Sequence, residues 1–169
     1  MKKFSLNLIT IFLVSAAVGL GLWLVNKNFP ASGFLEISAV LGQDRPAISR
    51  LGPDPRVKLE NGVQAIIEGP VYFDLRAPRW FNQAHIEITY WPAGRTFKAL
   101  GGKVADPWSY LIKEPLAVVA EENNWQTAIF EFDLNQLLSQ KNVKRFVFDT
   151  QGETGQLLWL KSIKVILQR

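Results

Sequence analysis

Cysteine is absent from this chain, and histidine and methionine occur once each. Without cysteine there is no disulfide framework, thiolate nucleophile, cysteine-ligated zinc or lipoprotein anchor. His85 is the sole imidazole, so a histidine-based triad has one conceivable centre and a histidine-rich metal site has none. It stands among alternating apolar residues and reads as a surface imidazole beside Glu87. An excess of one charge is also missing. Of 19 basic residues, Lys2, Lys3 and Lys27 flank the first apolar run, whereas all 15 acids lie beyond it. The remainder carries 16 against 15, a net of +1. Nucleic-acid binding needs clustered basic surface, and none is present. The densest basic stretch, Lys141 to Arg145, reads as a solvated helix end. Carboxylates suited to glycoside hydrolysis (Glu121, Glu122, Asp74, Glu131) form no distinctive pattern. A non-catalytic protein is expected.

Long hydrophobic runs are confined to one place. Phe4 to Val25 is almost unbroken, its polar members Ser5, Asn7, Thr10 and Ser15 are uncharged, and Trp23 sits near its distal end. About 22 helical residues reach roughly 33 Å, enough for a bilayer core of about 30 Å. The expectation is a transmembrane signal-anchor over 1–28. Its basic flanks favour a cytoplasmic N-terminus and an extracytoplasmic remainder. A cleaved signal peptide is the alternative, with Ser15-Ala16-Ala17 as the small residues before the cut. Cleavage there would leave Val18 to Val25 as an apolar new terminus, which favours the anchor. Ser15 and Gly19, like Ala17 and Gly21, form a small-residue face on which another helix could pack.

Beyond residue 28 the period changes from helical to alternating. A linker is expected over 29–55, with a first strand in Phe34–Leu41 and loops at Gly42–Pro46 and Gly52–Pro55. The β-domain is expected over 56–169. Asn61-Gly62 between alternating residues is a two-residue hairpin signal, because both positions tolerate positive φ. Val71, Phe73 and Leu75 share one face of a strand, as do Ala84, Ile86, Ile88 and Tyr90 of another. Strands are also expected at Pro115–Ala120, Trp125–Phe132, Lys144–Asp149 and Leu157–Leu167. In the last, Leu157, Trp159, Ile163, Val165 and Leu167 share a face around a bend at Lys161. Asp133 reads as the N-cap of a short helix to Gln140. Roughly eight strands spaced by about 8–15 residues define a mainly β protein, an antiparallel β-sandwich.

The stretch "WQTAIFEFDLNQLL…VKRFVFDTQG…GQLLWLKSIKVIL", within 125–167, resembles the C-terminal half of galactose-binding-like jelly rolls, the fold of many carbohydrate-binding modules. "GPVYFDLRAPRWFNQAHIEITY" is similar to segments of membrane-anchored bacterial envelope proteins. The first resemblance implies a jelly-roll topology and transfers no binding residue. It also implies a structural calcium, for which Asp149 and Glu153, around Gly152, are the weak candidate ligands.

The aromatics carry the remaining signal. Trp80-Phe81, Trp91, Trp108, Tyr110 and Trp125 fall at strand ends or in loops. Exposed indoles stack on the C–H faces of sugar rings while polar neighbours bond the hydroxyls. Trp91, Trp108, Tyr110 and Arg79 are the candidate ligand-binding residues. Two functions follow. The first is a non-catalytic, membrane-anchored envelope assembly subunit whose partners are the bilayer and an envelope protein. The second is a glycan-binding module displayed at the cell surface.

Overall fold

The computed structural model describes residues 2–28, 33–43 and 46–169, with side chains over 9–22, 33–43 and 46–169. The chain divides into two compact units, Met1–Phe34 and Leu35–Arg169.

The first unit holds one helix, α1 (Lys2–Asn28). Its described side chains, including Ile9, Phe12, Leu13, Leu20 and Leu22, are exposed. Among the described residues, no helix is long and apolar enough to cross a membrane. The expected span runs from Phe4 to Val25, so Trp23 and the flanking lysines lie outside the residues with described side chains.

The second unit is a sandwich of two sheets with eleven strands among the described residues. These are β1 (Phe34–Val40), β2 (Val57–Glu60), β3 (Val63–Ile66), β4 (Val71–Arg76), β5 (Gln83–Ala93) and β6 (Thr96–Ala105). They continue as β7 (Ser109–Lys113), β8 (Ala117–Ala120), β9 (Gln126–Asp133), β10 (Val143–Gln151) and β11 (Leu157–Gln168). Sheet A runs β2-β3-β11-β5-β9-β8, with β1 also on β11; sheet B runs β4-β10-β6-β7. Both sheets are built on antiparallel pairs.

Alternation explains the layers. Val71, Phe73 and Leu75 of β4 and Ala84, Ile86, Ile88 and Tyr90 of β5 all point into the core, as their period of two requires. The same core takes Phe130 and Phe132 of β9 and Leu158 and Leu160 of β11 from sheet A, and Phe146 and Phe148 of β10 from sheet B. Asn61-Gly62 forms the β2–β3 turn with φ of 51° and 77°. Two further turns of this kind, Asn123-Asn124 and Lys141-Asn142, also carry positive φ at both residues. Leu41, Ile48 and Leu51 are fully buried in the same core.

Several sequence expectations are corrected. The sequence pattern marks no strand in 96–113, where β6, with Gly101 and Gly102 in its middle, and β7 lie. These glycines lie mid-strand because there is little space above them. A Cβ on Gly101 would stand 2.6 Å from Ile112 Cδ1, and one on Gly102 would stand 2.6 Å from Leu137 Cδ2. The helix expected from Leu134 to Gln140 is a single 3-10 turn, Leu134–Gln136, although Asp133 does cap it by accepting from the Asn135 N–H at 2.9 Å. On β11 the expected common face fails. Its register on β5 slips between Leu160 and Ser162, so Lys161 is an extra residue that reverses parity. Leu158 and Leu160 therefore point inward before it, and Trp159 points outward, half-buried.

The basic stretch 141–145 is not a solvated helix end. Lys141-Asn142 is a hairpin turn, and Lys144 is buried on the inner side of β10. Its ammonium donates to the carbonyls of Leu134 at 2.7 Å and Leu137 at 3.2 Å. Burial pushes its pKa below the ordinary lysine range, and attraction to Asp133 offsets this in part. Because the folded state holds this proton less tightly than the unfolded chain does, stability rises with pH from the folded value up to about 10.4. Lys144→Met should cost about 1–3 kcal/mol at pH 7 by removing a charged donor from two carbonyls, of which that of Leu134 keeps only the longer bond from the Leu137 N–H. In urea titrations, the gap between wild type and variant should widen towards that alkaline limit. A gap that narrows with rising pH would contradict the assignment.

Candidate functional site

The outer face of sheet B is built from the residues that alternate with its core. Register places Asp74 opposite Arg145, Tyr72 opposite Val147, Val147 opposite Gly101, Gly101 opposite Ile112 and Lys103 opposite Tyr110. Arg145 is the centre of this surface. Its Nε and Nη2 donate to the two carboxylate oxygens of Asp74 at 2.8 and 2.9 Å. Its guanidinium carbon lies 4.1 Å from the centre of the Tyr72 ring. The Asp74 hydrogen bonds raise the Arg145 pKa, opposed by partial burial, so the cation is permanent. A two-point ion pair on one side and a ring on the other fix the guanidinium in one plane.

Beside it, Lys103 pairs with Asp106, whose other carboxylate oxygen accepts from Gln140 Nε2 at 3.4 Å. Asp74, Lys103, Gln140 and Arg145 line a cleft of about 200 Å³. Tyr110 is half-buried on the same face. Two residues earlier, Trp108 stands at the β6–β7 hairpin and is 77% exposed. On this face Gly101 is covered by Ile112 and Val147, whereas Gly102 turns inward towards Leu137 and Phe132.

The structure separates the sequence candidates. Trp108 and Tyr110 belong to the sheet B side. Trp91 lies on the outer face of sheet A, 39% exposed. Arg79 is exposed in the β4–β5 connection. Ser15 and Gly19 are exposed on α1. Arg145, Asp74, Tyr72 and Lys103 were missed as site residues. Asp74 and Arg145 are 71 positions apart in sequence, and only register brings them together. The outward alternation of β4 was the one available signal.

His85 stands on the outer face of sheet A, with Nε2 3.4 Å from Glu87 and Nδ1 3.6 Å from Glu131. Its surroundings are those of a surface ion cluster, which Lys164 extends to Glu36 and Glu87, each at 3.8 Å.

A calcium at the 149–153 segment does not fit the residues present. Arg95 is buried there, and its guanidinium donates to the carbonyls of Ile67 at 2.7 Å, Gln156 at 3.2 Å and Glu153 at 3.4 Å. The cation that organises this loop is thus a side chain. Among the described residues, no group of three or more His, Asp or Glu could hold a metal.

No family model matches the chain, and no curated protein matches it. Among solved structures, the chain is similar to the carbohydrate-binding module TmCBM27, described for specific mannan recognition. The identity is 8%, covering 80% of this chain and 99% of that one, with a TM-score of 0.41. The fold and the site stand on the strands and side chains described above.

Arg95→Met should destabilise the sandwich by about 2–4 kcal/mol, since it strips several carbonyls of a charged donor. Calcium or chelator at about 1 mM, a range that fills extracellular calcium modules, should leave the melting temperature of the wild type unchanged. A calcium-dependent rise of several degrees would show that the loop binds the ion despite Arg95.

Proposed function

We propose that this chain is a non-catalytic glycan-binding module that binds sugar rings on the outer face of sheet B. Its sandwich is read as a jelly roll. The supporting observation is the Arg145 guanidinium, fixed by Asp74 and Tyr72 beside Lys103, Gln140 and Tyr110. A pyranose offers apolar C–H faces and an edge of hydroxyls. Flat rings answer the first, and immobilised charged donors and acceptors answer the second. Cations and carboxylates alternate on this face, so its field suits a neutral, hydroxyl-rich ligand better than a polyanion.

In the same reading α1 is a membrane anchor, with the N-terminus cytoplasmic and the sandwich outside the cell membrane. Support comes from the exposed apolar side chains along its described length and from the charge-free sequence around them. The class of ligand is then an envelope or surface polysaccharide.

A specific observation also favours the assembly reading. The edges at β2, β4 and β7 each carry a defence against pairing. Lys58 and Glu60 form an ion pair on β2. The chain at 47–52 bonds to β4. Lys113 of β7 places its ammonium 5.3 Å from the centre of the Phe132 ring. By contrast β8, Ala117–Ala120, is uncharged and wholly exposed, the kind of edge that accepts another strand. Under this reading Val119→Lys should abolish stoichiometric crosslinking to a partner in native membranes, and recovery of an uncrosslinked monomer from wild-type membranes would exclude it.

The glycan reading is tested on the full chain in detergent micelles by affinity electrophoresis through gels containing soluble polysaccharides. Retardation by at least one polysaccharide is expected. Tyr110→Ala and Arg145→Met should each weaken it roughly fivefold, the equivalent of about 1 kcal/mol. Asp74→Asn should also weaken it while costing about 1 kcal/mol or less in stability. Unretarded migration through every gel would overturn the proposal.

A further inference from the structure

We infer that the outer face of sheet A carries a second sugar-ring site, on the side of the sandwich opposite the first; the inference rests on the glycan reading and extends it. Its floor is a pair of indoles, Trp91 and Trp125, with a third beside them. Trp159 of β11 lies directly opposite Trp91 of β5. Trp125 stands one residue before Gln126, the partner of Tyr90, and its ring centre is 6.4 Å from that of Trp91 at an interplanar angle of 58°. Trp159 and Trp91 thus lie side by side on neighbouring strands, and Trp125, at the entry to β9, meets Trp91 from the other side.

A cleft of about 410 Å³ opens at this pair, lined by Trp91, Pro92, Glu121, Asn124, Trp125 and Gln126. Its polar groups are two side-chain amides and one carboxylate. The carboxylate is held in place, since Glu121 accepts from the Thr127 hydroxyl, which in turn bonds Thr89 at 2.9 Å. Lys161 stands on the far side, its ammonium 5.7 Å from the centre of the Trp125 ring. The residue that reverses the parity of β11 therefore also borders this surface.

The chemistry narrows the ligand. A buried apolar ligand would need enclosure, and this cleft is open to solvent along the exposed Asn124 and Glu121. A polyanion would meet Glu121 and the neighbouring Glu122. A neutral sugar ring meets an indole plane below and amide and carboxylate groups at its edge, the combination by which hydroxyl-rich rings are held at open sites. The rest of this face, around His85, Glu87, Lys164 and Glu131, is a cluster of charges, and the indoles gather at one end of the sheet. With sites on the two outer faces, one molecule would bridge two glycan chains.

The test uses the full chain in detergent micelles, with all six tryptophans replaced by 5-fluorotryptophan and resonances assigned by single Trp→Phe variants. Mannohexaose, cellohexaose and chitohexaose are titrated as probes. The expected result is a saturable shift of the Trp91 and Trp125 signals, together with an independent shift of the Trp108 signal from the sheet B side. Movement of Trp108 with Trp91 and Trp125 unmoved would overturn this inference and leave the first site standing. Movement of Trp91 and Trp125 alone would support it and remove the first site instead. No movement with any probe would overturn both. As a second measurement, wild type should precipitate a polysaccharide that it retards. Trp91→Ala/Trp125→Ala should still bind it, about fivefold more weakly, without precipitating it. Precipitation unchanged by the double substitution would count against a bridging site.

Discussion

A continuous chain of rings ties sheet A to sheet B. Tyr90 meets Phe97 edge-on at 5.3 Å, Phe97 meets Phe148 at 5.3 Å, Phe148 meets Phe73 at 5.7 Å, Phe73 stacks on Phe146 at 5.2 Å, and Phe146 meets Phe132 edge-on at 5.1 Å. Phe130 joins through Phe97 at 5.5 Å. Tyr90, Phe130 and Phe132 belong to sheet A and the others to sheet B, so the ring contacts cross the interface three times. Each such pair contributes about 0.5–1.5 kcal/mol beyond the area it buries. A domain without disulfides depends on this kind of burial for its stability.

The same packing determines what faces solvent. On β10, fixing Phe146 and Phe148 inward forces Arg145 and Val147 outward. On β4, Phe73 inward places Tyr72 and Asp74 outward, at the heights where Arg145 and Val147 can meet them. On β5, Tyr90 inward places Trp91 outward. Both candidate surfaces are thus the complement of the core, and a change of register by one residue would destroy core and sites together.

Where strict alternation holds, the chain can be read directly. The strands β4, β5 and β9 fall where the pattern puts them, and Asn61-Gly62 turns as its chemistry requires. Reading fails where a tertiary contact overrides the local signal. Gly101 and Gly102 give no strand signal of their own; their place in β6 follows from Ile112 and Leu137, which occupy the space a side chain would take. Trp159 looks like a core residue because the bend marked at Lys161 does not by itself announce a reversal of parity. The ion pair of Asp74 with Arg145 and the approach of Trp125 to Trp91 depend on strand order, which no local pattern encodes. Arg95 is a further case. A loop with two acids around a glycine suggests a bound ion, but the cation that holds its carbonyls comes from 58 positions earlier in the chain.

Placing these groups on strands instead of loops has an energetic consequence. An arginine free in solution loses about 2 kcal/mol of side-chain entropy when a ligand orders it. Arg145 has already lost most of that freedom, because Asp74 holds two of its nitrogens and Tyr72 covers one face. The ordering was met during folding, when the aromatic core fixed the register of β4 against β10. Indoles need less help, having only two rotatable side-chain bonds, and Trp91 and Trp125 order one another at 6.4 Å between ring centres. A shallow open surface cannot bury much of a ligand. Its affinity must come from groups that lose little on binding, and rigid rings and a locked guanidinium on a sheet are groups of that kind.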